Sequence, residues 1–198
     1  MVLRRKALPD EKRTRIIETA IELAERGGFE AVRLREVAEG ADVALGTLYK
    51  RFRSKEDILV AALEVESAKL ARRLEQHPAR GATGSDRVMD FFEAATRGML
   101  RRPNLARAVL RALTSGDAQI TQSVVGFHMR MTQMIVAAMR GPSGQIASRP
   151  DEQMVAFILQ QIWFAALVGW MAGMADKAQV VEQVRMTLGL LVREPAAG

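Results

Sequence analysis

Apolar positions in this chain recur every three to four residues, and no stretch of useful length alternates with period two. The pattern predicts an all-α protein of about nine helices. Over residues 10–26 one stripe carries Ile16, Ile17, Ala20, Leu23 and Ala24, and Gly27-Gly28 supplies a left-handed stop. Residues 34–41 predict a short second helix with Val37, Ala38 and Ala41 inward, and residues 45–52 a short third. Ser54 followed by Asp57 resembles a capping box opening a long fourth helix over about 55–76. A loop runs from His77 to Gly84, and Ser85 is expected to cap a fifth helix reaching about Arg101. Pro103 suits the first turn of a sixth, which Ser115-Gly116-Asp117 ends. A seventh runs to Met139 and stops at Gly141-Pro142-Ser143-Gly144. Pro150 opens an eighth, and Asp176 caps a ninth ending near Arg193. There is no internal repeat.

The eighth helix raises a question of class. Residues 153–175 hold no charge, which is long enough to span a bilayer, so a membrane protein built on this segment is one reading. Gln153, Gln160, Gln161 and the many Ala and Gly weaken it. A helix apolar all round equally suits one shared between a core and a dimer interface, and we expect that arrangement, with no membrane partner. No apolar core follows the basic residues 1–15, so no secretory signal is expected. The absence of Cys removes disulfides, thiolate zinc sites and Cys nucleophiles, and two His leave little for a metal. No G-x-S-x-G, Walker A or H-E-x-x-H string occurs. We therefore expect no enzyme, no cofactor and no metal site.

The first 52 residues carry the sharper signal. Two short helices joined by a tight turn suggest a helix-turn-helix. In LREVAEGADVALGTLYKRF, starting at Leu34, Ala38 permits close helix packing, while Val37, Val43 and Leu48 pin the pair. Asp42 falls in the turn, where a left-handed backbone is often needed. The third helix offers Ala44, Leu45, Gly46, Thr47, Tyr49 and Lys50, small and polar residues suited to the major groove of an operator duplex. Thr47 fits a thymine methyl or a phosphate, Tyr49 a phosphate, and Lys50 supplies a cation. Lys55, at the start of the fourth helix, is a further phosphate candidate. Arg35 has two readings, a groove or phosphate contact and a solvated surface residue. The arm with Arg4, Arg5, Lys6, Lys12, Arg13 and Arg15 has two as well, a DNA-tracking segment and a solvated tail.

GTLYKRFRSKEDIL, preceded by VAEGADVAL and by a first helix ending in GGF, resembles the TetR family of bacterial transcriptional regulators over residues 12–60. Asp42 stands where Gly is frequent, Ala44 where a Ser cap is frequent, and Arg33 where Thr or Ser caps the second helix. The resemblance implies a DNA-binding domain over 1–53 and a regulatory, dimerising domain over 54–198. It implies a cytoplasmic, nucleoid-associated homodimer joined through helices near 150–174 and 176–193. It also implies repression of a palindromic operator relieved by a small-molecule effector. A second resemblance runs through ADVALGTLYKRFRSKEDILVAAL, RRPNLARAVLRALTSGDA and QQIWFAALVGWMAG, to the KstR-type repressors of steroid catabolism in actinobacteria. It implies an effector of the steroid-derived acyl-CoA class. A regulator of efflux or stress genes sensing hydrophobic drugs is the alternative within the family.

Candidate effector contacts lie in the regulatory half. Phe91, Phe92, Met99, Phe127, Met131, Met134, Trp163, Phe164 and Trp170 have two readings, core packing and a plastic apolar pocket. His128 is a buried structural histidine or a ligand contact. Arg97, Arg101, Arg102, Arg107 and Arg111 occur with no acid between Ala94 and Gly116. They form a solvated face, or Arg97 and Arg101 bind an anion at the pocket mouth. Charge mapping alters the meaning of the formal +6. Residues 1–60 carry 13 basic and 11 acidic groups, although they hold the DNA-reading element. Residues 94–116 carry +5, so much of the excess points toward an apolar or anionic effector rather than DNA.

Overall fold

A computed structural model describes residues 11–141 and 150–191. The basic residues Arg4, Arg5 and Lys6, most of the Gly141–Gly144 stop and Arg193 lie outside the described residues. The elements are α1 (Glu11–Ala31), α2 (Leu34–Gly40), α3 (Leu45–Tyr49), α4 (Lys55–Gln76), α5 (Gly84–Leu100), α6 (Pro103–Leu113), α7 (Thr121–Arg140), α8 (Pro150–Met171) and α9 (Lys177–Leu191). One 3-10 turn, Ala118–Ile120, precedes α7. The all-α expectation of nine helices holds among the described residues.

Helix ends follow local chemistry. Gly28, at φ 67°, breaks α1 where the Gly pair predicted, and one further turn follows to Ala31. Asp42 takes φ 51°, the left-handed value foreseen for the turn. Its N–H donates to the Glu39 carbonyl at 3.0 Å, and the Val43 N–H to that of Ala38 at 3.0 Å. This double closure satisfies the last carbonyls of α2 and aims the chain into α3. Ala44 and Arg33 give no side-chain cap to α3 and α2. At α4, Ser54 accepts from the Asp57 N–H at 3.1 Å, while the Asp57 carboxylate accepts from Arg53 rather than from Ser54.

Two boundaries differ from expectation. Thr83, not Ser85, caps α5, because Thr83 and Asp86 exchange reciprocal side-chain-to-backbone hydrogen bonds of 3.1 and 3.0 Å. Helix α3 ends at Tyr49 rather than at residue 52, and Lys50 becomes its C-cap. The chain then turns Phe52 inward, where it is buried.

α4 is the hub. Ile58 through Leu63 are all buried, against α1, α6 and α7. α1 also packs along α6, so the amino-terminal helices rest on the regulatory bundle at two places. α8 is long and apolar enough to cross a membrane. Here Ala156, Leu159, Gln160, Trp163, Ala166, Leu167 and Trp170 form its buried stripe, facing α6, α7 and α9. Met154 and Phe157 stay exposed on its other face. The all-round apolar pattern thus serves two faces. Arg87 ties the far end of the bundle. Its guanidinium donates to the carbonyls of Ala138 (3.0 Å), Met139 (2.7 Å) and Gly81 (3.3 Å).

Asp42→Val forces a β-branched residue into the left-handed region and should cost about 1–2 kcal/mol of stability in a urea melt. Asp42→Gly should be neutral or slightly stabilising. Equal melts for both variants would show that the turn is not held at this φ.

Candidate nucleic-acid interface and effector cavity

The α2–turn–α3 unit separates an inner from an outer face. Val37 and Leu48 are fully buried and Ala38 nearly so, with Val43 and Leu45 partly buried against them. Outward lie Arg35 on α2, and Ala44, Gly46, Tyr49 and Lys50 along α3, with Thr47 half-buried. Tyr49 is 52% exposed, although it is among the larger side chains of this half. A Cβ added at Gly46 would meet nothing within 4 Å. No contact inside the chain therefore demands glycine there, whereas a backbone laid against base edges gains from one.

Two basic candidates are turned inward. The Lys55 ammonium sits 3.8 Å from the Phe29 ring centroid and 3.5 Å from the Glu30 carboxylate. It must leave both to reach a phosphate. Arg13 lies 3.7 Å from Glu64 and over the Phe52 ring at 5.6 Å, tying α1 to α4 rather than extending an arm. Arg15 is exposed on α1.

In the regulatory half, α4 to α8 enclose a cavity of about 420 Å³. Leu105, Val109, Phe127, Met131 and Trp163 form its buried floor. Lys69, Arg73, Arg97 and Arg101 stand at the solvent-exposed rim. Glu66 is the one acid on the wall among the described residues, and Lys69 holds it at 2.7 Å. Neither Arg97 nor Arg101 has an ion-pair partner among the described residues. An apolar floor under an uncompensated basic rim fits an amphipathic anion. Trp163 is fixed in the floor by donating from Nε1 to Thr96 Oγ1 at 2.8 Å, both side chains being buried.

The structure thus brings Met99, Arg97, Arg101, Phe127, Met131 and Trp163 to one cavity. Phe91, Phe92, His128 and Phe164 are not on its wall. Phe91 and Phe92 are fully buried and meet edge to face at 5.2 Å, with Phe92 against Trp163 at 5.9 Å. They are core packing behind the floor. His128 faces α8, beside the Phe164 ring and against the Gln160 amide, which Thr132 also bonds at 3.0 Å. Burial holds the His128 imidazole below its ordinary pKa, so the neutral ring is favoured there. Sequence reasoning missed Leu63, Leu70, Lys69 and Arg73 on α4. Their i, i+3, i+4 spacing on one stripe was the available signal.

The arginine run 97–111 divides into three fates. Arg97 and Arg101 face the cavity. Arg107 stacks on Trp170 at 4.6 Å. Arg102 and Arg111 reach α1, pairing with Glu25 at 2.5 Å and Glu30 at 2.9 Å. A second cleft of about 510 Å³ lies between α4 and α7, lined by Ala68, Ala71, Leu74, Met134 and Ala137. Its arginine, Arg130, is already paired with Glu64 at 3.3 Å. Of these two, the smaller cavity combines a buried aromatic floor with Arg97 and Arg101, unpaired among the described residues, and it is the stronger effector candidate.

Residues 16–62 match the family model described as bacterial regulatory proteins of the tetR family, and residues 81–191 match the tetracyclin repressor-like C-terminal domain. The chain belongs to the TetR family of transcriptional regulators. Like its relatives it is a DNA-binding repressor and not an enzyme. It is 34% identical to the HTH-type transcriptional repressor KstR of Rhodococcus jostii, over 92% of this chain and 83% of that one, so the KstR-type resemblance stands. A TetR transcriptional regulator from Rhodococcus sp. RHA1 superposes with a TM-score of 0.79 at 26% identity, covering 94% of this chain and 97% of that one. The Bacillus subtilis regulator FadR, solved in complex with stearoyl-CoA, shares the fold. Its TM-score is 0.66 at 20% identity, covering 90% of this chain and 97% of that one.

Within this TetR-family fold, Trp163→Phe leaves the buried Thr96 hydroxyl without its donor and should cost about 1–3 kcal/mol of stability. Adding Thr96→Val should recover most of the loss. A chemical melt in which the double variant is no better than the single would remove this bond from the account of the floor.

Proposed function

We propose that this chain is a homodimeric repressor released from a palindromic operator by an amphipathic anion, of the lipid, steroid or acyl-CoA-like class. The observation that carries the effector reading is the cavity's buried floor beneath the free Arg97 and Arg101. That FadR is complexed with stearoyl-CoA supports the same chemistry. A cationic drug would find only Glu66, already neutralised by Lys69, which argues against the efflux-type alternative.

In this reading residues 1–53 read DNA and residues 54–198 form the regulatory domain. Tyr49, Thr47, Lys50, Leu45, Ala44 and Gly46 meet the major groove, with Arg35 and Lys55 toward the backbone. Two copies join through α8 and α9, whose unburied faces include Phe157 and Met154 on one and Met186 and Leu190 on the other, at 47–67% exposure. The dimer sets its recognition helices roughly 34–36 Å apart, one DNA turn. The effector alters the packing of α4 and α6 on the cavity, and the spacing no longer fits. Such a regulator works in the cytoplasm, on the nucleoid.

The test is fluorescence polarisation on the duplex that the wild-type protein selects from a random pool, with lauroyl-CoA as effector probe. Tyr49→Phe should weaken operator binding by about 1 kcal/mol, roughly fivefold, with the dimer intact. Arg97→Glu with Arg101→Glu should leave ligand-free operator binding unchanged and raise the lauroyl-CoA concentration needed for release at least tenfold. Unchanged release by the arginine variant would make the rim a solvated face.

A further inference from the structure

The α5–α6 turn stands between the cavity and the DNA-binding half. Arg101 is the last cap of α5, Arg102 the first of α6, and Pro103 fixes the turn. Arg102 lines the candidate effector cavity and also an open cleft shared with Glu25, Arg101, Pro103 and Asn104. Glu25 is on α1, two residues before the Gly27-Gly28 break. Its Oε1 is buried and accepts no aligned hydrogen bond among the described residues. It meets the Arg102 Nε as an ion pair, and Arg101 lines the same cleft. Loss of the Arg102 cation leaves that one oxygen with no partner among the described residues, although the Glu25 side chain as a whole is about a third exposed. Asn104 strengthens the junction by donating to the Glu25 carbonyl at 2.9 Å. A second tie lies further along, where Phe29 is covered by Arg111 at 4.3 Å and Lys55 at 3.8 Å, and Glu30 pairs with both.

We propose that Arg102 is the residue through which an anionic effector is coupled to the DNA-binding half. In the ligand-free protein its guanidinium holds Glu25 and clamps α1 onto α6. An anion entering between Arg97 and Arg101 competes with Glu25 for the same guanidinium, one side chain away on the rim. Drawing Arg102 into the cavity strips Glu25 of its counter-charge, loosens the start of α6 from α1 and frees the recognition unit from its operator-ready orientation. The remaining tie at Phe29 keeps the halves joined, so the change is a reorientation and not unfolding. No movement of α4 is needed to begin the response. It rests on the anionic-effector reading above for its trigger, but the clamp itself is testable without ligand.

Operator binding of full-length Arg102→Gln and Glu25→Gln is measured by polarisation on the selected duplex, with circular dichroism and size exclusion to verify the fold and the assembly. Each is expected to weaken ligand-free operator binding at least tenfold. The charge swap Glu25→Arg with Arg102→Glu is expected to restore it to within threefold, and to make the complex resistant to lauroyl-CoA, since the swap places an acid on the rim. Wild-type operator affinity in both single variants overturns the clamp. So does failure of the swap to restore affinity in a chain that folds and assembles normally. If lauroyl-CoA fails to release the wild-type protein, the acyl-CoA reading of the effector falls, while the ligand-free comparison still decides the clamp.

Discussion

The structure depends on the burial of one six-residue run, Ile58 to Leu63, at the start of α4. Every side chain there is inside, because the helix is surrounded by α1, α6 and α7. A helix packed on all sides cannot shift without moving its neighbours, since protein interiors are close-packed. The same helix begins three residues after the inward-turned Phe52 and its second half lines the effector cavity. The helix-turn-helix and the cavity therefore belong to one packed unit, although the two matched family domains divide the chain in two. Beyond Leu63 the helix becomes half-exposed, and its packing loosens around the two clefts.

Electrostatics adds direction to this packing. The arginine-rich turn between α5 and α6 has no local acid, and the fold resolves it by distance. Glu25 and Glu30 on α1 neutralise Arg102 and Arg111, whereas Arg97 and Arg101 are left over the cavity. One cluster thus both binds the halves together and charges the rim of the cavity. Pairs this close to the surface contribute little to stability individually, so their value lies in specificity and coupling.

Much of this was legible from residue pattern. The helix count, the Gly27-Gly28 break and the left-handed Asp42 followed from periodicity and backbone preference. The α5 cap fell on Thr83 rather than Ser85 because Thr83, Ser85 and Asp86 compete at that helix start, and only the backbone geometry selects one. The cavity-lining residues were half legible. Aromatic content cannot separate Trp163, on the cavity floor, from Phe91 and Phe92, one layer behind it, since all three are buried on helical stripes. The arginines were grouped correctly as unbalanced within their segment. Their partners on α1 lie more than 75 residues earlier, and sequence spacing carries no information about such a pairing.

On this reading, occupation of the cavity changes the separation of the two recognition units of a dimer. The chain has no Cys, so Arg53→Cys gives a single nitroxide site beside α3 on each protomer. Pulsed electron–electron resonance on the labelled protein measures the inter-protomer distance on the operator and with saturating lauroyl-CoA. The expected distribution is compatible with recognition helices roughly 34–36 Å apart on DNA and is displaced by several ångströms when the ligand is bound. An identical distribution in both states, while the operator is released, would contradict it.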